Sequence, residues 1–330
     1  MEAAPVRANG IDALVSSVAD GMEGVNALIV SHAGSDVMMI PEVANHLISS
    51  GGKRIRPMLT LSMAKMFGYR GDGDVKLATA VEYMHTATLL HDDVVDESDM
   101  RRGRAAARKI WGNQASVLVG DFLLGQAFKL MVDVGSLEAL GLFSSAAATI
   151  SEGEVRQLAG AKNMSVGEAH YMAVIEAKTA ALFAAATAAG PILAGSSATR
   201  SMKSFGRHLG LAFQLIDDVL DFAGDAEALG KNIGDDLHEG KATLPVLLAY
   251  DRGSESDRAF WRRCIEDGVV SDADVAEAGR KVRDTGALDE ARARAQAYAD
   301  RAIDDLSAAP PGEMRDILED VAAFTVSRIH

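Results

Sequence analysis

A single cysteine, Cys264, stands in the whole chain. An internal disulfide and a cysteine-based metal cluster are therefore excluded, and a reducing compartment is the plain reading. Net positive charge is absent as well: 33 Lys and Arg face 47 Asp and Glu, for a formal charge of −14 at pH 7. Such a surface has no general attraction for nucleic acid or anionic lipid, so any anionic ligand must be gripped locally. The N-terminal MEAAPVRANGIDALVSSV lacks a basic segment followed by a long apolar run, and no secretory signal is expected. Nothing matches GxxxxGK(S/T), and no glycine fingerprint follows a strand, which removes the common nucleotide loops. The most apolar stretch, AALFAAATAAGPILAG (180–195), is interrupted by Gly190 and Pro191 and suits a buried helix better than a membrane span.

Proline is confined to seven positions and aromatic residues to 5%, while 48% of the 330 residues are hydrophobic. With Ala, Leu, Glu and Arg plentiful, the chain reads as helix almost throughout, with no strand series. Helices are expected at 10–33, 40–48, 54–68, 73–98, 113–133, 136–160, 167–190, 198–224, 243–250, 255–267, 271–286, 288–307 and 311–328. Breaks are expected at Gly51-Gly52, Gly71-Asp72-Gly73, Gly190-Pro191 and Pro310-Pro311. Several of these helices are apolar all round, which implies an all-α bundle. No linker, repeat or low-complexity tract divides the chain, so one domain spanning 1–330 is expected, with 251–330 as a more charged, peripheral helical part.

Against that apolar background, LLHDDVVDES (89–98) places Asp92, Asp93 and Asp96 on or near one helix face. FQLIDDVLDFAGD (213–225) repeats the spacing with Asp217, Asp218 and Asp221. Antiparallel packing at bundle distances could bring the two DDxxD motifs face to face across one cavity, where carboxylates would repel unless a cation sat between them. Oxygen-only ligands, few per helix, suit a Mg²⁺ ion that completes its shell with water and phosphate oxygens.

Cationic residues gather in the same neighbourhoods. GGKRIRP (51–57) supplies Lys53, Arg54 and Arg56, and DMRRGR (99–104) supplies Arg101, Arg102 and Arg104. Arg forks and Lys point charges beside such carboxylates make a diphosphate site. His85 lies two turns before Asp92 on about the same face and could donate to a phosphate. Glu82 and His85 also form Glu-x-x-His, the spacing of di-iron bundles, but no second such motif exists. In EAKTA (176–180) Lys178 and Thr179 lie on an Ala-rich helix, where an unpaired ammonium would be costly and an anion is the expected compensation. Gln214 precedes Asp217 by one turn, and GKNIGDDLHEGKATLP (230–245) adds Lys231 and Lys241.

GGKRIRP, HDDVVD with RRG, KTA, QLIDDVLD and GDDLHEGKATLP together resemble the all-trans isoprenyl diphosphate synthases, in the family's order from about residue 51 to 245. The resemblance implies an all-α fold around a deep cavity, a homodimer, and head-to-tail condensation of isopentenyl diphosphate onto an allylic diphosphate. It implies that Asp92, Asp96 and Asp217 hold Mg²⁺, three ions per active site with substrate bound, supported directly or through water by Asp93, Asp218 and Asp221. Arg101, Lys178, Gln214, Lys231 and Lys241 would cradle the allylic diphosphate, with Thr179 lining the reacting centre. Lys53, Arg56, His85 and Arg102 would hold isopentenyl diphosphate.

Ala87 and Thr88 lie five and four residues before Asp92. Where short-chain relatives carry an aromatic residue that blocks elongation, this small pair resembles the long-chain branch, octaprenyl to decaprenyl. Leu130 and Met131 are candidates for a deeper floor. A long product suggests quinone side chains and a cytoplasmic enzyme loosely associated with membrane through that product. A shorter-chain synthase, a non-catalytic subunit of a heteromeric synthase, a terpene cyclase and a metal-storage bundle are the alternatives. Intact motifs disfavour the subunit; Lys53, Arg56 and Arg102 disfavour the cyclase; the missing Glu/His pairs disfavour storage.

Overall fold

The structure, a computed structural model, describes residues 10–223 and 234–327. Its elements follow the expected helices closely. They begin with α1 (Gly10–Ser17), α2 (Ala19–His32), α3 (Met39–Ile48), α4 (Ile55–Met66) and α5 (Gly73–Val95). A two-residue hairpin, β1 (Met100–Arg101) and β2 (Arg104–Ala105), precedes α6 (Ala107–Asp133) and α7 (Leu137–Gly160). Next come α8 (Gly167–Ile175), a π-helical turn at Glu176–Ala180, α9 (Ala181–Leu193) and α10 (Thr199–Ala223). Further helices occupy Asp235–His238, Leu244–Arg252, Glu255–Ile265, Asp272–Asp284, Ala287–Asp305 and Glu313–Ser327.

Four local departures from the sequence reading have physical causes or markers. The first expected helix is two, bent by 70°. Inside α6 the backbone leaves helical geometry at Gly112 (φ 86°), so the long apolar arm begins at the expected residue 113 but a further turn precedes it. The expected break at Gly190-Pro191 does not occur, because α9 continues to Leu193 with Pro191 inside it. Gly190 serves close packing instead: a Cβ there would lie 2.3 Å from the backbone of Met63 and Ala64 on α4. Thr60 confirms how near the two helices run, donating its hydroxyl to the Ala186 carbonyl at 3.2 Å. The fourth is the hairpin, too short to leave a periodic signal.

The described chain forms two compact units, each assembled from separate stretches. One comprises 10–147, 182–206 and 303–324; the other comprises 148–181, 207–223, 234–302 and 325–327. In the first, α5 and α6 pack along one another, with α2 and α4 against α5 and α3 against α6. Leu77, Val81, Tyr83, Met84, Ala87 and Leu90 on α5 are all within 2% of full burial. A helix buried round most of its circumference is a core helix. Tyr83 satisfies its polar tip by donating to the Ile29 carbonyl at 2.7 Å.

In the second unit Tyr171, Leu215, Val219, Leu247, Trp261 and Cys264 share one apolar core. Burial pushes the Cys264 thiol above its usual range, so the one cysteine is an inert packing residue. Two capping boxes start the helices here: Ser254 with Asp257 and Ser271 with Asp274 exchange side-chain and backbone bonds in both directions.

Candidate active site

Both aspartate motifs lie on long helices, and they divide their carboxylates alike. Asp92 and Asp96, at the C-terminal end of α5, are half-buried; Asp93 between them is fully buried. On α10, Asp217 and Asp221 are half-buried and Asp218 is buried, at 3% exposure. The spacing explains this: residue i+1 of DDxxD turns inward while i and i+4 share the neighbouring face.

Each inward aspartate is held by its own unit. Arg101 on β1 donates from Nε at 2.8 Å and Nη2 at 2.5 Å to Asp93 Oδ1. Burial pushes the Asp93 carboxyl up and Arg101 draws it back. Asp93 Oδ2 is buried with no hydrogen-bond partner among the described residues. In the second unit the Tyr171 hydroxyl donates to Asp218 Oδ2. Gln214 Nε2 donates to Asp218 Oδ1 at 2.8 Å, while Gln214 Oε1 accepts from the Thr179 hydroxyl at 2.8 Å. Burial, then the charge of Asp236, pushes Asp218 well above the carboxylate range; Tyr171 and Gln214 oppose that. Gln214 thus links Thr179 to the second motif, a role its spacing alone did not reveal.

The π turn Glu176–Ala180 carries Lys178 and Thr179. Such single wide turns recur at functional sites, because they re-aim side chains without ending the helix. Arg207 on α10 forks onto Glu176, with Nε at 2.6 Å and Nη2 at 2.9 Å. Two polar rungs, Arg207–Glu176 and Thr179–Gln214, therefore join the turn to α10. Lys178 corrects one expectation: its ammonium is not unpaired, since Glu154 on α7 lies 2.7 Å away. Lys241 pairs with Glu239 at 2.5 Å, and Lys231 lies outside the described residues.

The basic motifs of the first unit converge on one recess, lined by Leu47, Ile48, Arg54, Glu82, His85 and Arg102 among others. Its open volume is about 10 Å³, room for about one water at most. Arg102 and Gly103 form the hairpin's two-residue turn, with φ of 52° and 74°, the left-handed pair that a tight hairpin requires. Arg102 Nη1 donates to the Gly51 carbonyl. Gly52 has φ 155°, and a Cβ there would stand 2.7 Å from Arg102 Nη1, so a larger residue would push the guanidinium aside.

Of the residues expected to hold isopentenyl diphosphate, the recess brings His85 and Arg102 together. Arg56 stacks 4.4 Å over the Phe183 ring and acts on His85 by its charge. Lys53 is exposed and absent from the lining, where Arg54 appears instead. Arg54 sits in left-handed backbone (φ 47°) and donates to Asn26 Oδ1. Burial and the Arg56, Arg102 and Arg101 charges hold His85 well below its usual range, so it is a neutral imidazole. Glu82, weighed in the sequence only as half of a Glu-x-x-His spacing, lines the recess as well. Ala87, Leu130 and Met131 are within 2% of full burial on the packed pair α5 and α6. Thr88 donates its hydroxyl to the His85 carbonyl at 2.8 Å.

No group of three Asp, Glu, His or Cys residues forms a ready-made metal site among the described residues. The donor set still fits a hard divalent cation that finishes its shell with ligand oxygens. Two half-buried carboxylates stand on each motif, and beside Asp92 and Asp96 a buried Asp93 oxygen has no donor of its own.

A chain that is helical but for one short hairpin, with two aspartate motifs and an arginine-lined recess, has the donor types that metal-assisted chemistry on a diphosphate calls for. The chain belongs to the polyprenyl synthetase family, whose model matches residues 37–282. It is 46% identical over 314 residues to octaprenyl diphosphate synthase of Escherichia coli K12, covering 94% of this chain and 96% of that one. A polyprenyl synthase from Caulobacter crescentus CB15, solved in complex with calcium and isoprenyl diphosphate, is 47% identical with a TM-score of 0.94, covering 99% of this chain and all of that one. A decaprenyl diphosphate synthase from Rhodobacter capsulatus superposes with a TM-score of 0.92 at 44% identity, covering 97% and 99%.

Proposed function

We propose that this chain is a Mg²⁺-dependent trans-prenyltransferase that condenses isopentenyl diphosphate head to tail with an allylic diphosphate. Its product is a long all-trans polyprenyl diphosphate, octaprenyl to decaprenyl, destined for quinone side chains. The observation that carries the reading is the repeated DDxxD arrangement, in which each motif buries and braces its middle aspartate and leaves the outer two half-buried. The octaprenyl and decaprenyl relatives support the long product, and the calcium and isoprenyl diphosphate in the Caulobacter crescentus structure support the ligand class.

Mg²⁺ bound at Asp92, Asp96 and Asp217, three ions with substrate present, would neutralise charge developing on the leaving diphosphate. Ionisation breaks the allylic C–O bond, and both electrons leave with the diphosphate. The isopentenyl double bond supplies the pair for the new C–C bond, and the proton then shed goes to the departed diphosphate. No protein nucleophile is needed. Arg101, held by Asp93, and Lys178, held by Glu154, present fixed positive charge to the allylic diphosphate. His85 and Arg102 orient isopentenyl diphosphate, and positioning does much of the remaining work.

We further propose a cytoplasmic homodimer that meets membrane through its product. Val117, Leu118 and Val132 on α6 are exposed apolar residues that fall within about 100° of the helix circumference, a patch suited to a second copy. By length and composition α6 and the Met164–Leu193 stretch could also cross a membrane.

Purified protein incubated with Mg²⁺, labelled isopentenyl diphosphate and farnesyl diphosphate tests the reading. Octaprenyl to decaprenyl products are expected. Accumulation of geranylgeranyl diphosphate alone would overturn the long-chain assignment, and absence of condensation would overturn the activity.

A further inference from the structure

The π turn at Glu176–Ala180 is held from two sides, and its residues are divided between them. Glu176 and Thr179 reach α10, where they meet Arg207 and Gln214. Ala177 and Lys178 meet α7 instead: a Cβ on Gly153 would stand 2.7 Å from Ala177 Cβ and 3.1 Å from the Lys178 backbone nitrogen. Glu154, the next residue of α7, takes the Lys178 ammonium at 2.7 Å. The wide turn is closed by the Ala181 amide, which donates to the Glu176 carbonyl five residues back.

A π turn holds one residue more than α-helical geometry, and the surplus can pass to a neighbouring position when the i→i+5 bonds change partners. Each such step turns the side chain it passes by about 100° around the helix axis. EAKTA has no glycine or proline to fix the surplus in one place, so contacts from other elements must do so. Of those contacts, the fork of Arg207 on Glu176 is the one with no part in the chemistry proposed above. Both side chains are about half exposed, at 41% and 46%, and an exposed ion pair adds little to global stability. A planar guanidinium that grips both carboxylate oxygens nevertheless fixes direction as well as distance.

We propose that Arg207 and Glu176 are positioning residues: their fork pins the π turn in register and so sets the aim of the Lys178 ammonium and the Thr179 hydroxyl. The inference rests on the reading of those two groups as contacts of the allylic diphosphate and its reacting centre. Arg207 holds the first residue of the turn and Gln214, about two turns further along α10, holds the fourth. With both tied to one helix, the surplus residue cannot migrate without breaking a side-chain hydrogen bond. Without the fork only the Thr179 end stays on α10, and Lys178 and Thr179 leave their places for part of the time. That lost occupancy weakens the hold on the allylic diphosphate and slows its ionisation. Isopentenyl diphosphate, assigned to other residues, is held as before.

Arg207→Met, Glu176→Gln and the double variant of the full chain are compared with wild type in steady-state kinetics, using farnesyl diphosphate and isopentenyl diphosphate with Mg²⁺. Each single variant should lose kcat about ten- to a hundredfold, the scale on which small misplacements act, with the KM for isopentenyl diphosphate unaltered. Farnesyl diphosphate alone, titrated calorimetrically with Mg²⁺, should bind the variants more weakly. The double variant should be no worse than the worse single one, because either change already breaks the fork. Melting temperatures should stay near that of wild type. The amides of 176–181 should exchange faster with deuterium, and those of Glu255–Ile265 should not. Glu176→Gln carries the test if Arg207→Met folds poorly. Wild-type kcat in the folded variants, an additive loss in the double variant, or unchanged exchange at 176–181 overturns the inference and leaves the proposed activity standing. Failure of wild type to condense the two substrates overturns both.

Discussion

Asp93 and Asp218 occupy the same place in their two motifs and are both buried, at 0% and 3% exposure, yet they are braced by different chemistry. Asp93 accepts an arginine fork; Asp218 accepts a tyrosine hydroxyl and a glutamine amide. The charged brace and the neutral one should fail differently.

Tyr171→Phe keeps the ring packing but leaves Asp218 Oδ2 buried without its donor. A lost bond of that kind costs about 1–3 kcal/mol. We expect a lower melting temperature together with reduced kcat, and an unaltered KM for isopentenyl diphosphate, measured by calorimetry and steady-state kinetics. Full activity with wild-type stability would show that Tyr171 does not hold Asp218.

Asp92→Ala and Asp217→Ala each remove a half-buried carboxylate from a crowded patch. Turnover should fall by about a hundred- to a thousandfold, the scale on which loss of one charge-stabilising group acts. The melting temperature should hold or rise in metal-free buffer, because like-charge repulsion is relieved. Half-maximal activity in either variant would remove that residue from the metal site.

Ala87→Phe should shorten the main product to a few isoprene units while the first condensation proceeds. Residue 87 stands five positions before Asp92 at about 1.5 Å of rise per residue, so the ring falls one turn and more below the motif. Because Ala87 is 2% exposed on α5, overpacking of about 1–3 kcal/mol accompanies the change. Product sizing alongside a melting curve separates the two effects; full-length product from a folded variant would show that the growing chain does not pass residue 87.

Acid should loosen the helices that begin at Glu255 and Asp272 early. Lys281, then Ser254, holds the Asp257 carboxyl well below its usual range, and Arg263, then Ser271, does the same for Asp274. A folded-state value lower than the unfolded one gives stability that is present above the unfolded value and disappears as pH falls through the folded one. Stability should therefore decline below about pH 4. Asp274→Asn should flatten that decline in melting temperature against pH, and an unchanged slope would mean these caps contribute nothing to it.

The helices were legible because their apolar periodicity is long and their stops are Gly and Pro pairs: Gly51-Gly52 and Pro310-Pro311 end elements where expected. The aspartates were legible because charge on an apolar helix has few explanations. What escaped depends on contacts remote in sequence. Glu154 lies 24 residues before its partner Lys178, and Tyr171 lies 47 before Asp218. The π turn at Glu176–Ala180 leaves no composition mark, since EAKTA is ordinary helix sequence. Pro191 misled because proline usually ends a helix, whereas here three residues of the last turn follow the start of a close contact with α4. The left-handed turn at Arg54 sets that residue on the recess while Lys53 is exposed, a choice among neighbouring cations that their spacing does not show.

The interlaced stretches of the two units limit how the gene can be cut. The chain passes from one unit to the other within α7, α9, α10 and the helices Ala287–Asp305 and Glu313–Ser327. A stop codon after residue 147 or 206 would sever a helix and leave core residues from later stretches unsupplied, so neither unit is a fragment that can be expressed by itself. Split reporters, fusions and domain exchanges belong in loops such as Gly195–Ala198, between α9 and α10, where the polypeptide does not change units.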